Sequence, residues 1–245
     1  MNYKVYHFTF REWTIAVCTG AGIAAGIAWI FYKSVLALPA LIPIIFLYIR
    51  YHREEKKDRR LYELSLEFKE AILAVGGALS AGYSIENAFL SALADMEKLY
   101  GRDGLITGEL ILLSRRLKAN ENIEDILSDL SDRSGIEDIR DFADVFRSAK
   151  RNGGNLSAVI RRAADTISDK IEVRREIETL MSAKRFENRI MQLVPFGILC
   201  YIGLTSPDFI EPLYHNPTGV IIMTGCLALY AFAFCLSEKI LRIQI

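Results

Sequence analysis

Phosphate-binding chemistry is the first thing missing from this chain. No Gly-Lys pair occurs anywhere in its 245 residues, and a phosphate-binding loop needs Gly-Lys followed by Ser or Thr. No His-Glu-x-x-His is present, so zincin-type proteolysis has no support. Histidine is scarce, and His7, His52 and His215 show no metal-ligand spacing. The four cysteines, Cys18, Cys200, Cys226 and Cys235, all fall inside apolar runs. They make neither a disulfide framework nor a zinc site and read as small apolar packing residues. The longest apolar runs hold no Asp, Glu, Lys, Arg or His between their ends, which argues against proton relays, ion-coupled transport and intramembrane proteolysis. Carboxylate pairs such as Asp141 and Asp144 read as a solvated face. The chain is therefore expected to be a non-enzyme with no catalytic residue, cofactor or metal.

Charge of one sign is also lacking overall: 30 Lys+Arg balance 30 Asp+Glu. The distribution is uneven, because residues 50–189 carry 25 of the basic and 26 of the acidic residues. The two signs are interspersed there, which argues against a nucleic-acid partner. On either side lie uncharged runs at 13–32, 35–49, 190–205 and 218–236. The first and last cover roughly the 30 Å hydrocarbon core of a bilayer as helices, and the middle two reach only about 23 Å. Lys33, Arg50 and Arg189 can snorkel at the ends of the shorter pair. The expectation is an all-α integral membrane protein of four spans in two pairs, 1–49 and 190–245, flanking a helical domain at 50–189. The first run is too long for a signal-peptide core and is followed at once by a second.

Orientation follows from the basic residues. Arg50, Arg53, Lys56, Lys57, Arg59 and Arg60 follow the second run, and Lys184, Arg185 and Arg189 precede the third. Residues 206–217 carry Asp208 and Glu211 and no Lys or Arg. The positive-inside rule puts the central domain and both termini in the cytoplasm and 206–217 outside. Lys4, Arg11, Lys239 and Arg242 agree, while Lys33 mildly disagrees.

Within the centre, helical periodicity dominates. Leu61, Leu64, Phe68, Ala71, Ile72, Val75 and Leu79 form one face of a helix. It has no Gly or Pro between Ile49 and Leu61 to part it from the second run. Gly82 is its expected stop, and close approach of a neighbouring helix is the expected compensation for Gly76 and Gly77 inside it. Thr107 is expected to cap a helix through Lys118. Gly135 should close the helix begun near Asn122, and Ile136, Ile139, Phe142, Ala143 and Phe146 should line the next one. From Leu156 an apolar pattern through Val159, Ile160, Ala163, Ile167, Ile171 and Ile177 toward Leu180 meets no Gly or Pro before Pro195. About six helices result.

One pattern occurs three times, starting at Ser84, Asn122 and Asn155. A capping residue is followed by Ile or Leu, two mostly polar residues and two apolar ones, which marks a helix start. An old duplication and the common requirements of a helix start both account for it. In the first apolar run, Gly22 and Gly26 fit a small-xxx-small pattern, which would pack the first run on the second or make an intermolecular contact.

The stretch from Phe68 to Lys170 resembles the F domain of type II secretion and type IV pilus platform proteins, most of all the Tad (Flp) branch. The resemblance is carried by Leu79-Ser80-Ala81-Gly82-Tyr83-Ser84-Ile85-Glu86-Asn87-Ala88-Phe89, by Asp132-Arg133-Ser134-Gly135, and by Gly153-Gly154-Asn155-Leu156. It implies an inner-membrane platform that binds a cytoplasmic secretion ATPase and pilin subunits and couples the motor to pilin extraction. A single F domain implies a second protomer, the same chain or a paralogue. The family turn residues are Gly82, Gly135, Gly153 and Gly154. Where the general secretion branch often has an acid before the long helix, this chain has Asn152-Gly153-Gly154-Asn155. Arg133, Arg147, Lys150 and Arg151 are the candidate ATPase-coupling surface, since they sit at Gly-bearing turns far along the chain from both membrane pairs. The other reading open at this stage is a four-span membrane protein with a cytoplasmic adaptor or signalling domain.

Overall fold

The computed structural model describes residue 3 and residues 10–32, 42–152, 155–206, 213–214 and 216–241. Eight helices of a dozen or more residues make up nearly all of this, and no strand occurs among the described residues. They are α1 (Phe10–Tyr32), α2 (Ile42–Ser80), α3 (Ile85–Tyr100), α4 (Leu105–Lys118), α5 (Ile123–Ser134), α6 (Glu137–Arg151), α7 (Leu156–Thr205) and α8 (Pro217–Leu241). The chain divides into two compact units, Met1–His7 with Arg53–Val173, and Phe8–His52 with Arg174–Ile245.

The first unit is the helical bundle. Its core is the set of apolar stripes legible in the sequence: Leu64, Phe68, Ala71, Ile72 and Val75 of α2 and Ile139, Phe142, Ala143 and Phe146 of α6 are buried. The rings of Phe68, Phe142, Phe146 and Phe89 meet in sequence, with centroids 5.3 Å, 5.8 Å and 6.2 Å apart. Aromatic pairs at these separations add to the area they bury. Gly76 has the close neighbour expected of it: a Cβ there would stand 3.3 Å from Ile160 Cγ2 of α7. Gly77 has no such neighbour. The apolar pattern of α7 is buried at Ile160, Ala164 and Ile167 but leaves Leu180 exposed, so burial in the bundle ends well before that pattern does.

Four capping expectations had different outcomes. Ser84 accepts from the Asn87 amide at 3.3 Å and Asn155 Oδ1 accepts from the Ala158 amide at 3.1 Å. Asn122 sits at the N-cap of α5 but its side chain makes no capping bond. Thr107 is not a cap: α4 begins after Gly104, and Thr107 lies buried inside the helix with no partner for its hydroxyl among the described residues. The capping is done from another helix, by Glu67 of α2, whose carboxylate accepts from the Ile106 amide at 2.8 Å. A carboxylate at a helix N-terminus satisfies an orphan amide and favours the helix dipole.

The second unit holds the two helices long and apolar enough to cross a membrane, Phe10–Tyr32 and Thr218–Ser237. α2 runs unbroken from Ile42, and α7 runs unbroken through Pro195 to Thr205, as the sequence predicts. The expected run at 35–49 lies partly outside the described residues, as do Lys33, Asp208, Glu211, His215, Lys4 and Arg242. Within the chain, the face of α1 that packs is not the one that carries Gly22 and Gly26, so of the two contacts their spacing allows only the intermolecular one is compatible with the structure. Ala16, Gly20, Ala24 and Ala28, four residues apart, are buried, and Gly22 and Gly26 are exposed with no neighbour near them among the described residues. A four-residue repeat of small side chains keeps one narrow face in register, and Gly22 lies on the opposite side of the helix. Within this unit, Tyr32 and Thr224 hydroxyls are 2.9 Å apart, Tyr214 donates to the Ile30 carbonyl at 2.7 Å, and Tyr230 donates to the Gln192 carbonyl at 2.8 Å. All four cysteines are free thiols on exposed helix faces rather than packed inside. Their small apolar side chains need no protein neighbour if the surrounding medium is itself apolar.

Candidate functional site

The candidate residues lie on α5, α6 and the turns around them. Gly82 closes α2 with φ +91° and Gly135 closes α5 in the left-handed conformation with φ +68°, where a side chain would be strained. The Gly135 amide donates to the Ser131 carbonyl at 2.9 Å. Gly153 and Gly154 lie outside the described residues.

At the last turn of α6, Arg147, Lys150 and Arg151 are three and four residues apart and share one side of the helix. Lys150 donates to Glu124 Oε2 at 2.8 Å, tying the end of α6 to the first turn of α5. Burial pushes the Glu124 carboxyl up, but the Lys150 hydrogen bond, the backbone and the charges of Lys150 and Arg151 more than offset this and hold it below the usual carboxylate range. Arg147 is half-buried and Arg151 exposed. The first turn of α6 is linked separately, because Lys170 of α7 donates to Asp138 at 2.7 Å.

Arg133 does not join this group. It stands at the other end of α5, nine residues from Glu124, roughly 14 Å along the helix axis. Its guanidinium forks onto Glu109 of α4 at 2.8 Å and 2.6 Å and its Nε donates to Asp129 at 2.9 Å. Glu109 is 5 % exposed, so this is a desolvated, bidentate pair of the stronger kind. Asp129 also accepts from Arg116 at 2.8 Å, and Arg116 from α4 donates on to Glu121 at 2.8 Å. The Glu109 hydrogen bond, ahead of the cost of burial, raises the Arg133 guanidinium further above its ordinary range. Arg133 therefore staples α4 to α5.

This network has a member that sequence reasoning missed. Tyr3 is buried against the bundle, donating its hydroxyl to Glu109 Oε1 at 2.8 Å and its amide to the Arg133 carbonyl at 3.2 Å. The Arg60 guanidinium of α2 lies 5.4 Å from the centre of its ring, within cation–π range. Burial first, and the Glu109 carboxylate second, raise the Tyr3 phenol well above its ordinary value. Glu109 alone carried a signal in the sequence, as an acid among the apolar positions of α4; Tyr3 carried none, since its hydrogen-bond partners lie over a hundred residues away.

Among the described residues no group of three or more His, Cys, Asp and Glu is placed to hold a metal ion. The arrangement offers surface chemistry instead: a cationic α6 terminus beside an internally neutralised α4–α5 pair. Neither curated proteins nor solved structures include a match to this chain. A family profile does match, that of type II secretion system protein F, over residues 71–203. The matched region starts at buried Ala71 of α2, takes in all of α3 to α6 and ends near the C-terminus of α7, more than half of the chain, with α1 and α8, both apolar enough for a bilayer, on either side. The chain belongs to the type II secretion system protein F family.

Proposed function

We propose that this chain is the inner-membrane platform of a Tad (Flp)-type pilus machine, coupling a cytoplasmic secretion ATPase to the extraction and assembly of pilin subunits. The observation that carries the reading is membership of the protein F family over 71–203, joined to the three turn segments by which the sequence resembles that family and to the apolar runs before and after the domain, which resemble the Tad-type arrangement. In this reading the protein is a non-catalytic, multi-pass membrane protein. Four helical segments, including the starts of α2 and the end of α7, cross the bilayer, and the bundle and both termini face the cytoplasm. A second protomer, the same chain or a paralogue, completes the platform. Nucleic acid is not a partner.

The coupling surface is best drawn around the end of α6. Arg147 and Arg151 can make charge-assisted contacts to acidic groups on a motor, while Lys150 also serves Glu124 and Arg133 serves Glu109. The test is the pair R147E/R151E, which spares both internal ion pairs. Pilus output and co-purification of the ATPase should be lost at unchanged membrane levels of the protein. Unimpaired piliation and ATPase binding in that variant would remove the surface from the mechanism. Topology has its own check: a cysteine label at Gly104 should read cytoplasmic and one at His215 external, and external access to Gly104 in intact cells would overturn the orientation.

A further inference from the structure

The apolar pattern of α7 outlasts the burial that the bundle provides. Ile177, Leu180, Lys184, Glu187, Met191 and Val194 follow one another at alternating steps of three and four residues, and all belong to the second unit. That spacing is a repeat of 3.5 residues, which keeps the six in one line along a helix. Leu180 is 69 % exposed, Met191 and Val194 are exposed, and Ile177 is half-buried. On the opposite side of α7, Arg175, Ser182 and Arg189 stand seven residues apart and are exposed. The line stops short of Pro195.

Lipid does not account for the first part of it. Ile177 and Leu180 precede the apolar run that starts at Ile190 by roughly 20 and 15 Å along the helix axis. They lie outside any hydrocarbon which that run enters, where apolar side chains are driven to cover one another from water. The charges on the line specify what covers them. Lys184 Nζ and Glu187 Oε2 are 3.0 Å apart, and both side chains are exposed. One cation and one anion in successive layers make the line complementary to itself. Beside a copy running in the same direction, each Lys184 reaches the Glu187 of the other chain. A partner surface of one sign would set either Lys184 or Glu187 against a like charge. Two copies inserted in one bilayer with the same topology do run in the same direction. Ile177 and Leu180 also occupy the two core positions of the repeat in the order that favours two parallel strands, and a single lysine at a core position fixes register at some cost in stability.

We propose that Ile177–Val194 of α7 pairs with the same segment of a second copy of this chain as a parallel, two-stranded coiled coil. This rests on the reading of the protein as a membrane platform completed by a second protomer, and it names the face through which that protomer joins.

The test is oxidative crosslinking in membranes of the full-length chain with its four native cysteines replaced by alanine. L180C should form a disulfide-linked dimer. S182C should not, because a disulfide needs Cα atoms within about 7 Å and position 182 is on the far side of the helix. K184E added to L180C places like charges in successive layers and should cut the crosslinked fraction severalfold; E187K added to both restores one charge of each sign and should recover it. Equal crosslinking at 180 and 182 overturns the proposal, since chance collision would explain both. An undiminished crosslink with K184E overturns the charge-matched pairing. No crosslink at 180 overturns it as well, and light scattering of the detergent-solubilised wild type then separates two failures. An oligomer would mean that the second protomer joins by another face, and a monomer would remove the second protomer itself. Release of the wild type from sedimented membranes by alkaline carbonate would show that the membrane reading had failed.

Discussion

The two units of this chain solve opposite problems with the same residue types. In the bundle, Phe142, Phe146, Leu64 and Ile72 are almost fully removed from solvent, and ion pairs such as Glu109–Arg133 neutralise what polar groups come inside. In the second unit the buried face of α1 is a line of small residues ending at Phe31, Met223 is buried as well, and many large residues point out: Trp29, Leu204, Ile221, Leu229 and Phe232 are all about 70 % exposed or more. A water-soluble surface does not carry contiguous apolar area of that kind without a partner. Apolarity alone thus does not specify where a residue sits. In the bundle water drives burial; where lipid is as apolar as the side chain, small residues and hydrogen bonds decide which faces pack.

The sharpest test of that contrast replaces one Phe in each unit. Phe146→Ala should cost about 3–5 kcal/mol of unfolding free energy, from lost transfer energy and a residual cavity. Phe232→Ala should stay within about 0.5 kcal/mol, as a surface change does. Denaturant unfolding of the detergent-solubilised chain, followed by circular dichroism, reads both; similar losses would break the contrast. Next in size is Glu109→Ala, which leaves Arg133 without its main carboxylate and the Tyr3 hydroxyl without its acceptor. Breaking a buried pair in this way costs about 3 kcal/mol, and a wild-type midpoint would show that the staple carries no stability.

A smaller effect of opposite sign is expected at Thr107, whose buried hydroxyl has no partner. Thr107→Val keeps the shape and should stabilise by about 1 kcal/mol; destabilisation of that size would mean the hydroxyl is satisfied after all. The remaining effect is a matter of pH. The Tyr3 phenol is raised in the folded state, so the folded chain holds that proton more tightly than the unfolded one. Its contribution is complete below the ordinary tyrosine range near 10 and is lost as pH rises through the folded value. Between about pH 10 and 11.5 the wild type should lose stability more steeply than Tyr3→Phe. Parallel pH profiles would place the loss in other groups.

Much of the bundle was legible because its information is local. The spacing of Leu64, Phe68, Ala71, Ile72 and Val75 names a buried face without reference to any other helix, and Gly135 announces the end of α5 by the backbone conformation it permits. Ser84 and Asn155 cap as their types suggest. Thr107 has the same capping chemistry and does not cap, because α4 starts at Leu105 and places it inside the helix, and the amide of Ile106 is served instead by Glu67, far away in sequence. The four basic candidates looked alike in the sequence. Arg133 differs from Arg147 and Arg151 only through the carboxylate that α4 brings to it.

The sequence by itself determined an all-helical chain, the apolar runs at either end, the faces of α2 and α6 that close the core, and the turn segments shared with the protein F family. These are properties of periodicity, length and backbone permission, each readable within a few turns of chain. Only the tertiary structure decided which small residues of α1 pack, that Glu67 caps α4, that Tyr3 seats between Arg60 and Glu109, and that Arg133 is a staple between α4 and α5. Each of these is a meeting of groups distant in sequence, and its free energy comes from desolvation and geometry that arise only once the chain has folded.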